Sequence, residues 1–346
     1  MRRRLVALPL LLTTSPALVG CGWLHDNISS GSESGSDDAT HGSNSQSAGE
    51  SESSLSGDDE SYSYSGDVDT DGYTTIEPTG ADNDPEAECP CAPGTELIYV
   101  LSDSGEIWSF DPKTADFDFV AQVWCGGFTS TFSMGVSRRA RAWIQYQHGD
   151  VYTVDLNDPD NPINCLDPGF EPIKPALYAN FGMAFVANSM EDPCDKLYAH
   201  SATEPEGVGP GVGALGVIDP VSLELSTIAP INYAWGELTG TGNGRLFAYE
   251  GYAPPILTEY DKSNGEVLSS LPLPQIDGQS AFAFAWWGGD FYLFADDDPF
   301  GSSTSQVWHL DYDESDGDGQ AVKGLLKAPI RIVGAGVSTC VPWGPM

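Results

Sequence analysis

An all-β domain of five similar units, closed into a ring, is the fold the sequence predicts, and three observations predict it. A triplet of aliphatic or small, aromatic, then aliphatic or small residues recurs five times. The copies are Ile98-Tyr99-Val100, Ala142-Trp143-Ile144, Leu197-Tyr198-Ala199, Leu246-Phe247-Ala248 and Phe291-Tyr292-Leu293, with aromatics 44, 55, 49 and 45 residues apart. Each triplet is followed by a second strand-like stretch that ends in Asp. Near the C-terminus, Ala335-Gly336-Val337-Ser338 resembles Met134-Gly135-Val136-Ser137.

Taken in order, each unit needs four short strands. The triplet forms one. The next is Ile107 to Asp111, Val151 to Asp155, Leu215 to Asp219, Leu257 to Asp261 or Val307 to Asp311. Turn formers follow the Asp, whose side chain can hold the turn while Pro presets the backbone. A third stretch comes next, as in Phe117 to Val123, Leu223 to Ile228 and Val267 to Leu271. A fourth precedes each triplet: Phe132 to Val136, Phe181 to Phe185, Trp235 to Leu238 and Phe282 to Trp286. The first unit lacks this stretch, and Ile332 to Ser338 supplies it, so the chain ends meet and close the ring. Long amphipathic helices are absent from the pattern, and Gly and Pro recur at the turns.

Four short strands per 40–50 residues is blade spacing, and residues 89–346 resemble β-propeller proteins with five blades. That resemblance puts the Phe132, Phe181, Trp235, Phe282 and Val333 stretches innermost, around a central cavity. Five-bladed propellers include glycosidases, whose paired carboxylates project into that cavity. Here the innermost stretches carry one acid, Glu237. Glu250 and Asp290, at strand ends, are the other candidates for the cavity mouth.

The N-terminus reads differently. Met1-Arg2-Arg3-Arg4, an apolar run from Leu5 to Leu12 and the tetrapeptide Leu18-Val19-Gly20-Cys21 form a secretory signal over residues 1–20. The apolar run is too short to cross a bilayer as a helix. A Cys at the cut resembles the lipobox of bacterial lipoproteins, which implies lipid attachment at Cys21. Gly22 after it resembles lipoproteins released to the outer membrane, so a lipid-anchored protein of the outer membrane or cell surface is expected. From residue 22 to 88 there are 17 Asp and Glu and no Lys or Arg, amid Ser and Gly. Such a segment buries too little to offset ordering entropy, so residues 21–88 are expected to form a lipidated, disordered tether.

The 89–346 region is also acidic, with 34 Asp and Glu against 11 Lys and Arg. This argues against nucleic acid, which needs a basic face. Six cysteines remain beyond Cys21: Cys89, Cys91, Cys125, Cys165, Cys194 and Cys340. An even number beyond an export signal implies disulfides. Ring closure pairs Cys340 with Cys89 or Cys91; the others allow three pairings, with Cys165–Cys194 preferred.

Several motifs are weaker. Gly211-Val212-Gly213-Ala214-Leu215-Gly216 matches a dinucleotide pattern but lacks a following helix and reads as a flexible loop into a blade strand. Asp67 to Gly72 resembles half of a Ca²⁺ loop, with Pro78 where the bidentate Glu belongs; Asp296 to Asp298 and Asp311 to Gly319 are further acidic loops. Ca²⁺ is the one cofactor these suggest, and acidic loops without metal explain them better. His200 and His309 fit hydrogen-bonded structural roles. Trp286 and Trp287 fit blade packing, or stacking on a sugar. The function expected is a cell-envelope lipoprotein displaying a propeller to bind protein, peptide or glycan. The alternative is an exported hydrolase or lyase at the central cavity.

Overall fold

A computed structural model describes residues 89–125, 130–158, 165–171, 178–202, 207–251, 254–276, 280–298, 300–312 and 320–344. Cys21, the tether and the Asp67 to Gly72 motif lie outside them.

Nineteen strands form five antiparallel sheets among these residues. Blade I holds β1 (Ile98–Ser102), β2 (Glu106–Asp111) and β3 (Asp116–Gln122), with β19 (Ile332–Val337) as its inner strand. Blade II holds β4 (Thr131–Val136), β5 (Arg141–Tyr146) and β6 (Val151–Asp155). In place of a fourth strand it has a single bridge from Thr153 to Leu166. Blade III holds β7 (Asn180–Ala187), β8 (Asp195–Ala202), β9 (Val208–Ile218) and β10 (Leu225–Tyr233). Blade IV holds β11 (Gly236–Gly240), β12 (Leu246–Glu250), β13 (Ile256–Tyr260) and β14 (Val267–Pro272). Blade V holds β15 (Ala281–Trp287), β16 (Asp290–Asp296), β17 (Gln306–Leu310) and β18 (Val322–Lys327). The inner strands β19, β4, β7, β11 and β15 adjoin in that order, and β15 returns to β19. The chain is a five-bladed β-propeller whose C-terminal strand closes the ring.

The repeated triplet lies on the second strand of every blade, and alternation along that strand explains its composition. The central aromatic faces the following blade. Tyr99 packs with Met134 and Ile144 of blade II, Trp143 with Phe181 of blade III, and Tyr198 with Leu238 of blade IV. Phe247 meets Phe291 of blade V at 4.9 Å, and Tyr292 meets Phe110 of blade I at 5.6 Å. The aliphatic neighbours face the preceding blade, as Ala142 and Ile144 do toward blade I. The core thus lies in the seams between blades, where each buried aromatic contributes roughly 1.5–3 kcal/mol of transfer free energy.

Near the axis the inner strands must approach closely. A Cβ on Gly182 would lie 2.2 Å from the Gly236 carbonyl oxygen, and one on Gly336 would lie 2.7 Å from the Val136 side chain. The resemblance of residues 335–338 to 134–137 reflects equivalent places on adjoining inner strands: Gly336 pairs with Tyr99 and Gly135 with Trp143, the central aromatics of their blades, although a Cβ on Gly135 would find only ordinary contact at 3.4 Å or more.

Three disulfides join Cys91 to Cys340, Cys89 to Cys194 and Cys125 to Cys165. The first locks the ring closure as expected. The preferred Cys165–Cys194 pairing is wrong. Cys194 ends the β7–β8 connection and meets the chain entry, whereas Cys165 lies beside the Leu166 bridge and reaches the segment after β3. The Gly211 to Gly216 segment runs into a blade strand as expected but is not a flexible loop before it; the whole segment lies within β9, and Gly213 to Gly216 pair with β10.

Candidate functional site

The second residues of β4, β15 and β19 are half-buried while their neighbours are buried. These are Phe132, Phe282 and Val333. They wall a cavity of about 220 Å³ at the face where the inner strands begin. Trp235, just before β11, completes the aromatic wall and meets Phe132 edge-on at 5.7 Å.

Glu237 on β11 forms the floor. It is 5% exposed, and its Oε2 accepts a hydrogen bond from Ser133 Oγ at 2.8 Å. Ser133 in turn accepts from the Met183 amide at 3.1 Å. Burial pushes the Glu237 carboxyl well above the usual carboxylate range, and the Ser133 hydroxyl and Met183 amide only partly oppose it. A carboxyl held toward its protonated form both donates and accepts hydrogen bonds.

The rim is charged. Arg331, just before β19, donates from Nη1 to Asp103 Oδ2 at 3.1 Å, from Nε to Asp296 Oδ2 at 3.0 Å and from Nη2 to the Ser280 carbonyl at 3.0 Å. It ties blade I to blade V across the ring closure. Asp103 is the second acid lining the cavity, and this guanidinium holds it.

Glu250 and Asp290 do not join Glu237. Glu250, at the end of β12, is buried one strand outward. It accepts Tyr260 Oη at 2.9 Å and faces His200 Nε2 at 2.9 Å. His200 Nδ1 lies 2.9 Å from the Ser201 carbonyl and so carries a proton. The imidazole stacks under Gly236, where a Cβ would come within 2.7 Å of Nε2. This triad therefore supports the backbone beside Glu237 from behind. Asp290 opens β16 at the opposite face, opposite Trp287 in register. It meets His309 Nε2 at 2.9 Å and accepts from the Tyr312 amide at 2.9 Å. Both histidines hold the hydrogen-bonded positions expected of them.

The other motifs resolve into structure. Asp298 accepts from the Phe300 and Ser302 amides, each at 2.9 Å, while Asp296 serves Arg331. Of Asp311 to Gly319, residues 313–319 lie outside the described residues, and among those described no group of three or more metal-ligating side chains gathers. Trp286 and Trp287 are buried in blade seams, and Trp287 Nε1 donates to the Glu96 carbonyl at 2.8 Å. Sequence reasoning missed Arg331, Asp103 and Ser133. Arg331 had one available signal: a lone charge directly ahead of the closing strand.

No protein-family model matches the chain, and no curated protein matches it. Among solved structures, the mitotic checkpoint complex has a chain that is 9% identical with a TM-score of 0.35; the match covers 71% of this chain and 83% of that one. A structural-genomics protein of unknown function from Bacteroides thetaiotaomicron VPI-5482 is also 9% identical, with a TM-score of 0.41, and the match covers 59% of this chain and 55% of that one.

Proposed function

We propose that the chain is a lipoprotein of the bacterial outer membrane or cell surface, anchored through Cys21, that displays its propeller to bind a protein, peptide or glycan ligand at the central cavity. A propeller suits a general binding or scaffold role, since its ring presents a shaped face on a rigid body. The observation that carries the reading is the cavity itself: three aromatic walls over one buried acid, with the remaining lining carboxylate held by Arg331. Two converging free carboxylates, which glycoside hydrolysis uses, are not what this lining offers. At about 220 Å³ the cavity is smaller than the ~300–1,000 Å³ of drug-sized sites. It therefore admits one ring-sized group, an aromatic side chain or a single sugar, and the rest of the ligand lies across the rim.

The test has two arms. Metabolic labelling with palmitate should mark the wild-type chain and leave Cys21→Ser unlabelled in the soluble fraction. Peptide and glycan arrays probed with the purified chain should yield ligands whose affinity falls at least ten-fold in Trp235→Ala and Phe282→Ala. Ligands that are cleaved on incubation would favour the hydrolase alternative. Binding indifferent to both substitutions would remove the cavity from the reading.

A further inference from the structure

A second cavity, of about 420 Å³, opens on the opposite face between blades II and III. Three arginines line it, Arg138, Arg139 and Arg141, with Trp143 and Phe185 as apolar walls and Asp195 at one side. Only 11 Lys and Arg stand against 34 Asp and Glu in residues 89–346, so three cations within four positions are a marked local reversal of charge.

The β4–β5 turn places them. Ala140 closes it in the left-handed region at φ 52°, with its amide bonded to the Ser137 carbonyl at 3.1 Å. A non-glycine residue there is strained and persists only where its surroundings hold it. The turn is fixed from outside, because the Arg138 amide donates to Asp195 Oδ2 at 3.3 Å.

The partners of the three guanidinium groups are incomplete. Arg138 is 7% exposed, yet its side chain meets only neutral oxygens: Nε donates to the Cys89 carbonyl at 2.7 Å and Nη1 to Thr339 Oγ1 at 3.3 Å. Among the described residues no carboxylate lies within ion-pair distance of it, and its Nη2 has no partner. Arg139 is exposed and has no partner among them either. Arg141 reaches Asp155 only at 3.9 Å. Asp195 attracts the Arg138 guanidinium without direct contact, since its Oδ2 takes the Thr339 hydroxyl and the Arg138 amide, each at 3.3 Å, so an anion in the cleft would supply the direct charge-assisted partner that the guanidinium lacks.

We propose that this cleft is a binding site for a carboxylate carried on an apolar body, separate from the central cavity. The planar forks of Arg138 and Arg139 match a planar carboxylate, and Trp143 and Phe185, which meet edge-on at 6.0 Å, receive the apolar part. The Asp195 carboxyl on the wall selects a monoanion over a phosphate dianion by like-charge repulsion.

Calorimetric titration of the purified full chain with 3-phenylpropionate tests this, with inorganic phosphate and acetate as companion probes. Saturable one-site binding of 3-phenylpropionate is expected, tighter than that of either companion. Loss of one charge-assisted hydrogen bond should weaken it about ten-fold or more in Arg139→Ala, an exposed position whose replacement leaves the core intact. Glu237→Gln, at the other face, should leave the affinity unchanged. No binding of 3-phenylpropionate, phosphate binding more tightly, or an affinity unaltered in Arg139→Ala would each overturn the proposal.

Discussion

Glu237 concentrates the chemistry of the central cavity in one side chain. Its proton affinity is raised in the folded state, so the folded chain holds that proton more tightly than the unfolded chain does. The associated stability is fully present below the unfolded Glu pKa of about 4.3 and is lost as pH rises toward and through the folded value. Glu237→Gln keeps the shape and abolishes the titration. The stability gap between variant and wild type should therefore widen in the variant's favour with rising pH, by at most about 1.4 kcal/mol per unit. Urea unfolding at pH 5 and pH 8 measures it; an identical gap at both would show that Glu237 does not titrate differently on folding. Glu237 was legible in the sequence as the only acid on the innermost strands. Its environment was not, because Ser133 lies 104 residues away on another blade and only the closed ring brings them together.

At the scale of the element, the Asp that ends the third strand of each blade was the most readable feature after the triplet. Asp111 Oδ1 accepts the Lys113 amide at 2.9 Å, Asp155 the Asn157 amide at 3.0 Å, Asp219 the Val221 amide at 2.9 Å and Asp261 the Ser263 amide at 2.8 Å. The shared continuation was not visible. Four residues on, the chain enters the left-handed region at Ala115 (φ 59°), Leu223 (φ 61°) and Gly265 (φ 73°), and each of these amides bonds back to the Asp carbonyl. Only one of the three is glycine, so composition hid the repeat. The same turn predicts opposite outcomes for opposite exchanges. Ala115→Gly relieves the left-handed residue and should stabilise by up to about 1 kcal/mol, net of added chain entropy. Gly265→Ala should destabilise by at least about 1 kcal/mol, since its Cβ would lie 2.6 Å from that of Ala229. Thermal melts of both variants decide the matter; changes of the same sign would mean the two turns are not equivalent.

At the scale of the whole molecule, closure was readable and cross-linking was not. Period-two alternation fixes which blade a side chain faces, and that is local information. Disulfide pairing depends on where three distant segments converge, and the Cys89–Cys194 and Cys125–Cys165 bonds follow from blade geometry that spacing does not encode. The basic cleft escaped for the same reason: Arg138 to Arg141 are visible as a run, but the segments whose neutral oxygens take up the Arg138 guanidinium are Cys89 at the chain entry and Thr339 at its exit. Both ends are held there by the bonds from Cys89 to Cys194 and from Cys91 to Cys340. The latter spans 249 residues and, in the chain-entropy model, removes about 5 kcal/mol of unfolded-state freedom as an upper figure. Cys340→Ser should therefore lower stability by about 2–4 kcal/mol, and it should loosen β19 from β1 before the other blades open. Amide hydrogen exchange distinguishes this from a uniform loss. Protection that falls first in residues 332–337 and 98–102 identifies the disulfide as the clasp of the ring, whereas an equal fall in every blade would mean that the inter-blade seams alone hold the closure.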